Sequence, residues 1–181
     1  MSKVVDISDA KLGFHDQLIR AIPRLRRFAQ VLTGSSHDRD DLVQTSLERA
    51  MVKRQQWSQQ RPLESWVMSI QHSIWKNELR SRSVRRGNGF SSVDTLIDQS
   101  SDAQQEVNQT LIAVREAVAK LPEAQRAVIM LVDVEGFSYV EAAEILDVPK
   151  GTLMSRLSRA RGVLIEQMKQ NKLSAGGQTD V

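Results

Sequence analysis

Apolar residues recur every three or four positions along most of this sequence, and no segment alternates apolar and polar residues as a half-buried strand would. Because this spacing gathers apolar side chains on one face of a helix, it predicts an all-α fold. The pattern is clearest over residues 14–32, 42–51, 63–79, 111–121 and 150–168. Pro23 is expected to kink the first helix or to begin its second part, and residues 33–37, TGSSH, are expected to form the turn after it.

Residues 83–107 interrupt the helical pattern with a mixture of Gly, Ser, Asp and Gln. We therefore expect two small helical domains, at residues 12–82 and 108–170, joined by a flexible linker over residues 83–107. A chain of that length averages ~27 Å between its ends, so the two domains would move separately. Residues 171–181 are expected to form a disordered tail.

The second domain ends in the pattern of a helix-turn-helix. Residues 138–141, SYVE, form a capping box that opens a short helix, and Pro122 is expected at the first position of an earlier one. Residues 147–149, DVP, turn the chain, and a last helix is expected from about Lys150 with Leu153 and Leu157 facing inward. In such an arrangement the second helix enters the major groove of DNA.

Basic residues cluster on this last helix although the net charge of the chain is only +3, and such clustering favours a nucleic-acid surface. Arg159 falls on the outer face, where an arginine can bind guanine bidentately and contribute ~1 to 3 kcal/mol of discrimination. Flanking arginines would hold phosphates. The alternative is a solvated basic face without a partner. The predicted DNA contacts are Thr152, Met154, Ser155, Arg156, Ser158, Arg159 and Arg161.

Two segments of the first domain leave alternatives open. Residues 40–51, DDLVQTSLERAM, form an amphipathic helix that a packed helical bundle explains equally well. Residues 55–62, QQWSQQRP, put Trp57 in a loop before a helix with a basic far end, and aromatic platforms of this kind stack single-stranded bases. Trp57 is equally well explained as a plug in the core. Lys76, Arg80 and Arg82 are expected to follow a DNA backbone.

Catalytic and membrane functions find little support in the sequence. It has no cysteine, no metal-ligand spacing among His15, His37 and His72, and no phosphate-binding loop or nucleophile motif. The acidic stretch 38–41 is explained by the helix dipole. We therefore expect a protein that is not an enzyme and uses no metal or cofactor. No run approaches the ~20 apolar residues that span a bilayer, so we expect a cytoplasmic protein without membrane insertion.

Residues 121–161 strongly resemble the promoter −35-binding domain of extracytoplasmic-function (ECF) sigma factors, which are specificity subunits of bacterial RNA polymerase. The elements LPE, EGFSY, AEIL and P-x-GT-x-x-SRL-x-RAR match in order. Asp147 stands where many relatives have glycine, and Met154 stands where a polar or basic side chain is common. With the first domain included, the resemblance covers about residues 14–82 and 108–168.

The resemblance implies a sigma factor that binds the −35 duplex with its last helix and melted −10 bases with its first domain. It implies core RNA polymerase as a partner, through the β′ clamp helices and the β flap, together with promoter DNA and an anti-sigma factor. The implied −10 contacts are Gln56, Trp57, Ser58, Ser73, Lys76, Asn77 and Arg80. The implied polymerase contacts, from a D-x-x-Q segment, are Asp41, Leu42, Gln44 and Thr45.

Two rival functions remain open at the level of the sequence. One is a helix-turn-helix regulator whose first domain senses a ligand or dimerises. The other is a sigma-like decoy that sequesters an anti-sigma factor and never binds DNA.

Overall fold

Residues 13–85 form a bundle of three helices. The computed structural model describes residues 13–85 and 114–176, and these residues contain helices and turns but no strand. Helices α1 (Phe14–Thr33), α2 (Ser36–Val52) and α3 (Leu63–Arg85) each pack against the other two. A short 3-10 turn, Arg54–Gln56, lies in the loop before α3. The prediction of an all-α fold with two helical domains is confirmed.

The boundaries of these helices follow local chemistry. Helix α1 runs unbroken through Pro23, so this residue does not begin a separate helix. Gly34 ends α1 in the left-handed conformation, with φ 68°, and its N–H donates to the Gln30 carbonyl at 2.9 Å. Ser35 then caps α2 by accepting a hydrogen bond from the Asp38 N–H at 3.4 Å. The turn is therefore shorter than the predicted residues 33–37, since Ser36 already belongs to α2.

The core of this bundle is apolar and fully enclosed. Leu25 and Phe28 from α1, Ala50 from α2, and Val67 and Met68 from α3 have no measurable exposure. Burying a side chain of the size of Leu, Met or Phe contributes ~1.5 to 3 kcal/mol. The apolar contacts among the three helices therefore position the polar surfaces that face outward.

The described part of the second half, residues 114–176, contains four helices. Residues 114–119 form α4, and α5 (Glu123–Ile129) runs directly into a single π-helical turn, Met130–Val134. Helices α6 (Tyr139–Leu146) and α7 (Lys150–Gly176) follow. Pro122 is the residue before α5 rather than its first residue. The π turn was not predicted, and Gly136 with φ 73° reverses the chain just after it.

Two helices extend beyond the boundaries expected from the sequence. Helix α3 continues past residue 82 to Arg85, and α7 continues to Gly176 through part of the predicted disordered tail. Most of the predicted linker lies in residues 86–113, outside the described residues, and so does the end of the tail, residues 177–181.

The two halves pack against each other, with α1 against α5 and α3 against α6. Arg126, which is nearly buried, contributes to this contact. Its Nη1 donates to the carbonyls of Ala119 and Leu121, both at 3.0 Å, and its Nε donates to the Val31 carbonyl of α1 at 3.4 Å. One guanidinium therefore satisfies the end of α4 and contacts the first domain. No helix within the described ranges is long and apolar enough to cross a membrane.

Candidate nucleic-acid interface

The helix-turn-helix is built from α6, a tight turn and α7. Ser138 Oγ accepts from the Glu141 N–H at 3.2 Å, and the Glu141 carboxylate accepts from the Ser138 N–H at 2.9 Å. These reciprocal bonds form the predicted capping box. Asp147 closes α6 with φ 52° and ψ 52°, which a short polar side chain tolerates better than most. The turn therefore forms with aspartate where many relatives have glycine.

Buried residues fix which side of α7 faces outward. Leu153, Leu157 and Ala160 are at most 3% exposed and pack into the core of the second domain. The opposite side carries the exposed residues Met154, Ser155, Ser158 and Arg159, and the partly buried Thr152 and Arg156 lie at its flanks. We call this surface, Thr152 to Arg159, the α7 outer face. Its orientation agrees with the spacing argument from the sequence.

Arg161, the last predicted DNA contact on α7, has a partner within its own domain. Its Nε donates to the Asp133 carboxylate at 3.2 Å, and a second bond joins Nη2 to the same carboxylate. The hydrogen bond to Asp133 raises the pKa of Arg161. This ion pair joins α7 to the π turn.

The loop before α3 holds Trp57 in a partly buried position. Its Nε1 donates to the Arg61 carbonyl at 2.9 Å, and its ring lies 5.8 Å from the ring of Phe14 at a tilt of 57°. These contacts fix the indole against the bundle and favour the interpretation of Trp57 as a plug. Gln56 and Ser58 on either side of it are exposed. The loop therefore presents polar side chains around an anchored aromatic ring.

Helix α3 carries the remaining predicted −10 contacts. Ser73, Asn77 and Arg80 are exposed at a spacing of four and three, which puts them along one stripe of the helix. Lys76 lies beside this stripe, partly buried, and its Nζ is 3.3 Å from the Asp147 carboxylate in the helix-turn-helix. The structure thus brings α3 and the turn before α7 into contact.

Arg82 was expected to follow a DNA backbone, but it ties α3 to α2 instead. Its guanidinium donates to both carboxylate oxygens of Asp38, at 3.1 and 3.2 Å, and to Glu78 at 2.8 Å. It also lies 5.3 Å from the centre of the Trp75 ring. The bonds to Asp38 and Glu78 raise the pKa of Arg82. This side chain is engaged within the bundle, which leaves Arg80 as the better phosphate candidate.

The predicted polymerase contacts lie on α2. Asp41, Gln44 and Thr45 are exposed on one side of the helix, and the Gln44 amide donates to Glu48 at 3.0 Å. Leu42, in contrast, is only 5% exposed and belongs to the core. Leu42 is therefore removed from the predicted contact surface, because its side chain holds α2 in the bundle.

One charged cluster joins residues that are far apart in the sequence. Glu135, just after the π turn, is bound by Arg24 and Arg27 of α1, and Arg24 also binds Glu64 of α3. Glu135 lies within the EGFSY element, but nothing in its local pattern identifies partners more than a hundred positions away. Among the described residues, no group of His, Asp and Glu is arranged to hold a metal ion.

Comparison with known proteins assigns both halves of the chain. Residues 111–164 match the family model described as sigma-70, region 4, and residues 18–72 match the model described as the Sigma2 domain of PhyR. The ECF RNA polymerase sigma factor EcfG of Rhodopseudomonas palustris is 35% identical over 84% of this chain and 83% of its own length. The ECF RNA polymerase sigma factor SigM of Mycobacterium tuberculosis is 31% identical over 82% of this chain and 74% of its own.

A solved structure supports the same assignment. The sigma factor RpoE of Bartonella quintana, crystallised with the anti-sigma factor NepR, is 31% identical with a TM-score of 0.71, over 86% of this chain and 96% of RpoE. The helical bundle and the helix-turn-helix together define an RNA polymerase specificity subunit of the sigma-70 type. Within that class, the chain belongs to the extracytoplasmic-function sigma factors.

Proposed function

We propose that this ECF sigma factor directs core RNA polymerase to promoters by binding the −35 duplex with the α7 outer face and melted −10 bases with α3 and the loop before it. The observation that carries the proposal is the α7 outer face itself. Buried Leu153 and Leu157 anchor one side of the helix, while Arg159 and its exposed neighbours project from the other. The polymerase supplies the chemistry, and this chain supplies the binding energy that selects the start site.

At the −35 element, α7 would lie in the major groove. Arg159 is suited to a guanine edge, because its fork of donors matches the O6 and N7 acceptors. Arg156 at the flank is suited to phosphate, and the hydroxyls of Ser155 and Ser158 can bond either a base or the backbone. Met154, 47% exposed, offers an apolar contact of the kind that fits a thymine methyl group.

At the −10 element, the bundle would hold unstacked bases. Because Trp57 is fixed by Phe14 and by the Arg61 carbonyl, its ring supplies a rigid wall rather than a mobile platform. Gln56 and Ser58 beside it are exposed and can hydrogen-bond a flipped base. The stripe formed by Ser73, Asn77 and Arg80 would follow the adjacent strand, with Lys76 joining it once its contact with Asp147 is released.

Two protein partners belong to the same proposal. The exposed side of α2, at Asp41, Gln44 and Thr45, would dock on the β′ clamp helices of core polymerase, and the second domain would contact the β flap. An anti-sigma factor would mask these surfaces. Support comes from the relative RpoE, which was crystallised with the anti-sigma factor NepR. Such a protein would work in the cytoplasm, where polymerase and promoters are.

Run-off transcription tests the proposal. The purified chain would be added to core polymerase on a library of genomic promoter fragments, and the start sites would be sequenced. We expect new start sites that share one −35 and one −10 motif, and a matched reaction without the chain gives the background. A chain that neither associates with core polymerase nor changes where it initiates would overturn the proposal.

A decoy is the second candidate, and one observation favours it. The first domain matches the Sigma2 domain of PhyR, and PhyR of Bartonella quintana is described as an anti-anti-sigma factor. A decoy would bind an anti-sigma factor yet leave initiation unchanged in the run-off assay. A ligand-responsive helix-turn-helix regulator would instead bind a palindromic site tightly without polymerase, which gel-shift titration of the free chain would detect.

A further inference from the structure

A buried carboxylate joins the two domains. The Glu135 side chain is 3% exposed and lies between two arginines of α1. Arg27 Nε donates to it at 2.8 Å, Arg24 Nε donates to its other oxygen, and Arg24 Nη2 donates to the Glu135 backbone carbonyl at 2.8 Å. The Arg24 guanidinium also binds Glu64 and lies 5.0 Å from the centre of the Phe137 ring. We call Arg24, Arg27, Glu64 and Glu135 the interdomain cluster.

The interdomain cluster depends on the closed arrangement of the domains. Burial alone would raise the pKa of Glu135, but the hydrogen bonds from Arg27 and Arg24 outweigh it and hold the pKa below its ordinary value. The four side chains carry two positive and two negative charges, so the cluster is neutral. If the domains separate, water replaces the bonds to Glu135, whereas the bond between Arg24 and Glu64 lies within the first domain and is kept.

A second polar contact lies farther along the same interface. Lys76 of α3 is 3.3 Å from the Asp147 carboxylate at the turn before α7. His72 is largely buried beside them, and burial together with the positive charges of Lys76 and Arg156 lowers the pKa of His72 to about 4, although Asp147 opposes this shift. His72 is therefore neutral near pH 7. The predicted −10 helix and the helix-turn-helix are thus held side by side.

Under the proposed function, this arrangement conflicts with simultaneous binding of both promoter elements. Positions −35 and −10 are separated by about 25 base pairs, or about 85 Å at ~3.4 Å per base pair. In the closed form, a 3.3 Å contact joins α3 to the turn that starts α7. Residues 86–113 connect the domains, and a chain of that length reaches at most about 90 to 100 Å when fully extended. The connecting chain is therefore long enough for the two domains to reach both promoter elements, but the domains cannot do so while they remain in contact.

We propose that Glu135, with Arg24 and Arg27, forms an electrostatic latch that holds the free chain in a closed, autoinhibited form. The latch must open before α3 and α7 engage the same promoter. The latch would then oppose binding of core polymerase and of DNA. The apparent affinity for either partner would be reduced in proportion to the fraction of chain that is open.

Small-angle X-ray scattering of the free chain tests the latch directly. A compact chain of this length has a radius of gyration of about 16 Å, and separated domains should exceed about 20 Å. We expect the wild type to be compact and Glu135→Lys to be expanded, because a lysine would repel both arginines. Glu166→Lys is the matched control, since it makes the same charge change at an exposed position on the far part of α7.

Variants of Arg27, on the other side of the interface, distinguish loss of the interdomain contact from loss of folding. Arg27 is half exposed, so Arg27→Glu should expand the chain while preserving its helical circular dichroism. Combining Arg27→Glu with Glu135→Arg restores opposite charges between positions 27 and 135 and should restore compactness in part, because Arg24 still faces the new arginine. If Glu135→Lys loses helicity, Arg27→Glu and the rescue pair decide the question. An extended wild type, or Glu135 and Arg27 variants as compact as the wild type, would overturn the proposal.

Transcription distinguishes failure of the latch from failure of the proposed function. Because Glu135 is not among the predicted DNA or polymerase contacts, Glu135→Lys should still support run-off transcription and should need about tenfold less protein for half-maximal product. A normal transcription response with no change in scattering would refute the latch alone. Expansion of the variants without transcription by any form would support the latch and refute the sigma-factor function instead.

Discussion

Replacing Arg159 with alanine should weaken binding to the cognate −35 element by ~1 to 3 kcal/mol and leave the fold intact. Arg159 is exposed, and α7 is held in place by the buried Leu153, Leu157 and Ala160. A surface substitution of this kind changes the free energy of unfolding by less than ~0.5 kcal/mol. The loss should therefore fall almost entirely on DNA binding.

The assay is a titration of holoenzyme against a promoter fragment and against fragments with single base-pair changes in the −35 element. The expected loss corresponds to a dissociation constant that is ~5- to ~150-fold larger on the cognate fragment. Arg159→Ala should also become indifferent to base identity at one position that the wild type distinguishes. Lys169→Ala, an exposed change of the same charge farther along α7, is the control. An equal loss on every sequence would show that Arg159 holds the backbone and reads no base.

Arg80, Leu42 and Glu135 each give a measurable outcome. Arg80→Ala should flatten the log-log salt dependence of holoenzyme binding by about one unit if Arg80 holds a phosphate, and an unchanged slope would make it ordinary surface charge. Leu42→Ala should lower the free energy of unfolding by ~2 to 5 kcal/mol in denaturant titrations. Asp41→Ala should leave the free energy of unfolding unchanged and weaken binding to core polymerase. Identical effects of the two substitutions would contradict the assignment of Leu42 to the core and Asp41 to the contact surface. The arginines that face Glu135 lower its pKa in the folded chain. Its contribution to stability should therefore be complete above the ordinary glutamate pKa of ~4.3 and be lost as the pH falls through the lowered pKa. The difference in free energy of unfolding between wild type and Glu135→Gln should shrink in acid, and a difference that grows in acid would contradict this prediction.

Features set by neighbours in sequence could be predicted well. The capping box at Ser138 depends on a residue three positions later, and the inward faces of Leu153 and Leu157 depend on the helical repeat alone. The start of α7 at Lys150 follows from the turn before it. The family resemblance rested on residues 121–161, which include these features, so the second domain could be assigned from its local pattern.

Features set by distant partners could not be predicted. Arg82 and Arg161 were basic residues with plausible DNA roles, and only the fold shows that Asp38 and Asp133 accept their hydrogen bonds. The burial of Leu42 likewise depends on how α2 rotates against its neighbours, which the weak amphipathic pattern of that helix leaves open. A contact between distant segments leaves no periodic trace, so the interdomain cluster was not foreseen.

The bridge between Lys76 and Asp147 has a consequence for the order of events at a promoter. One ammonium group serves the closed chain as the partner of a carboxylate, and under the proposed function it serves the melted strand as the partner of a phosphate. A phosphate placed on this ammonium group would lie beside the Asp147 carboxylate and repel it, so strand capture and domain closure compete for Lys76. Nucleic acid arriving at α3 would then weaken the contact with the helix-turn-helix by drawing Lys76 away from Asp147.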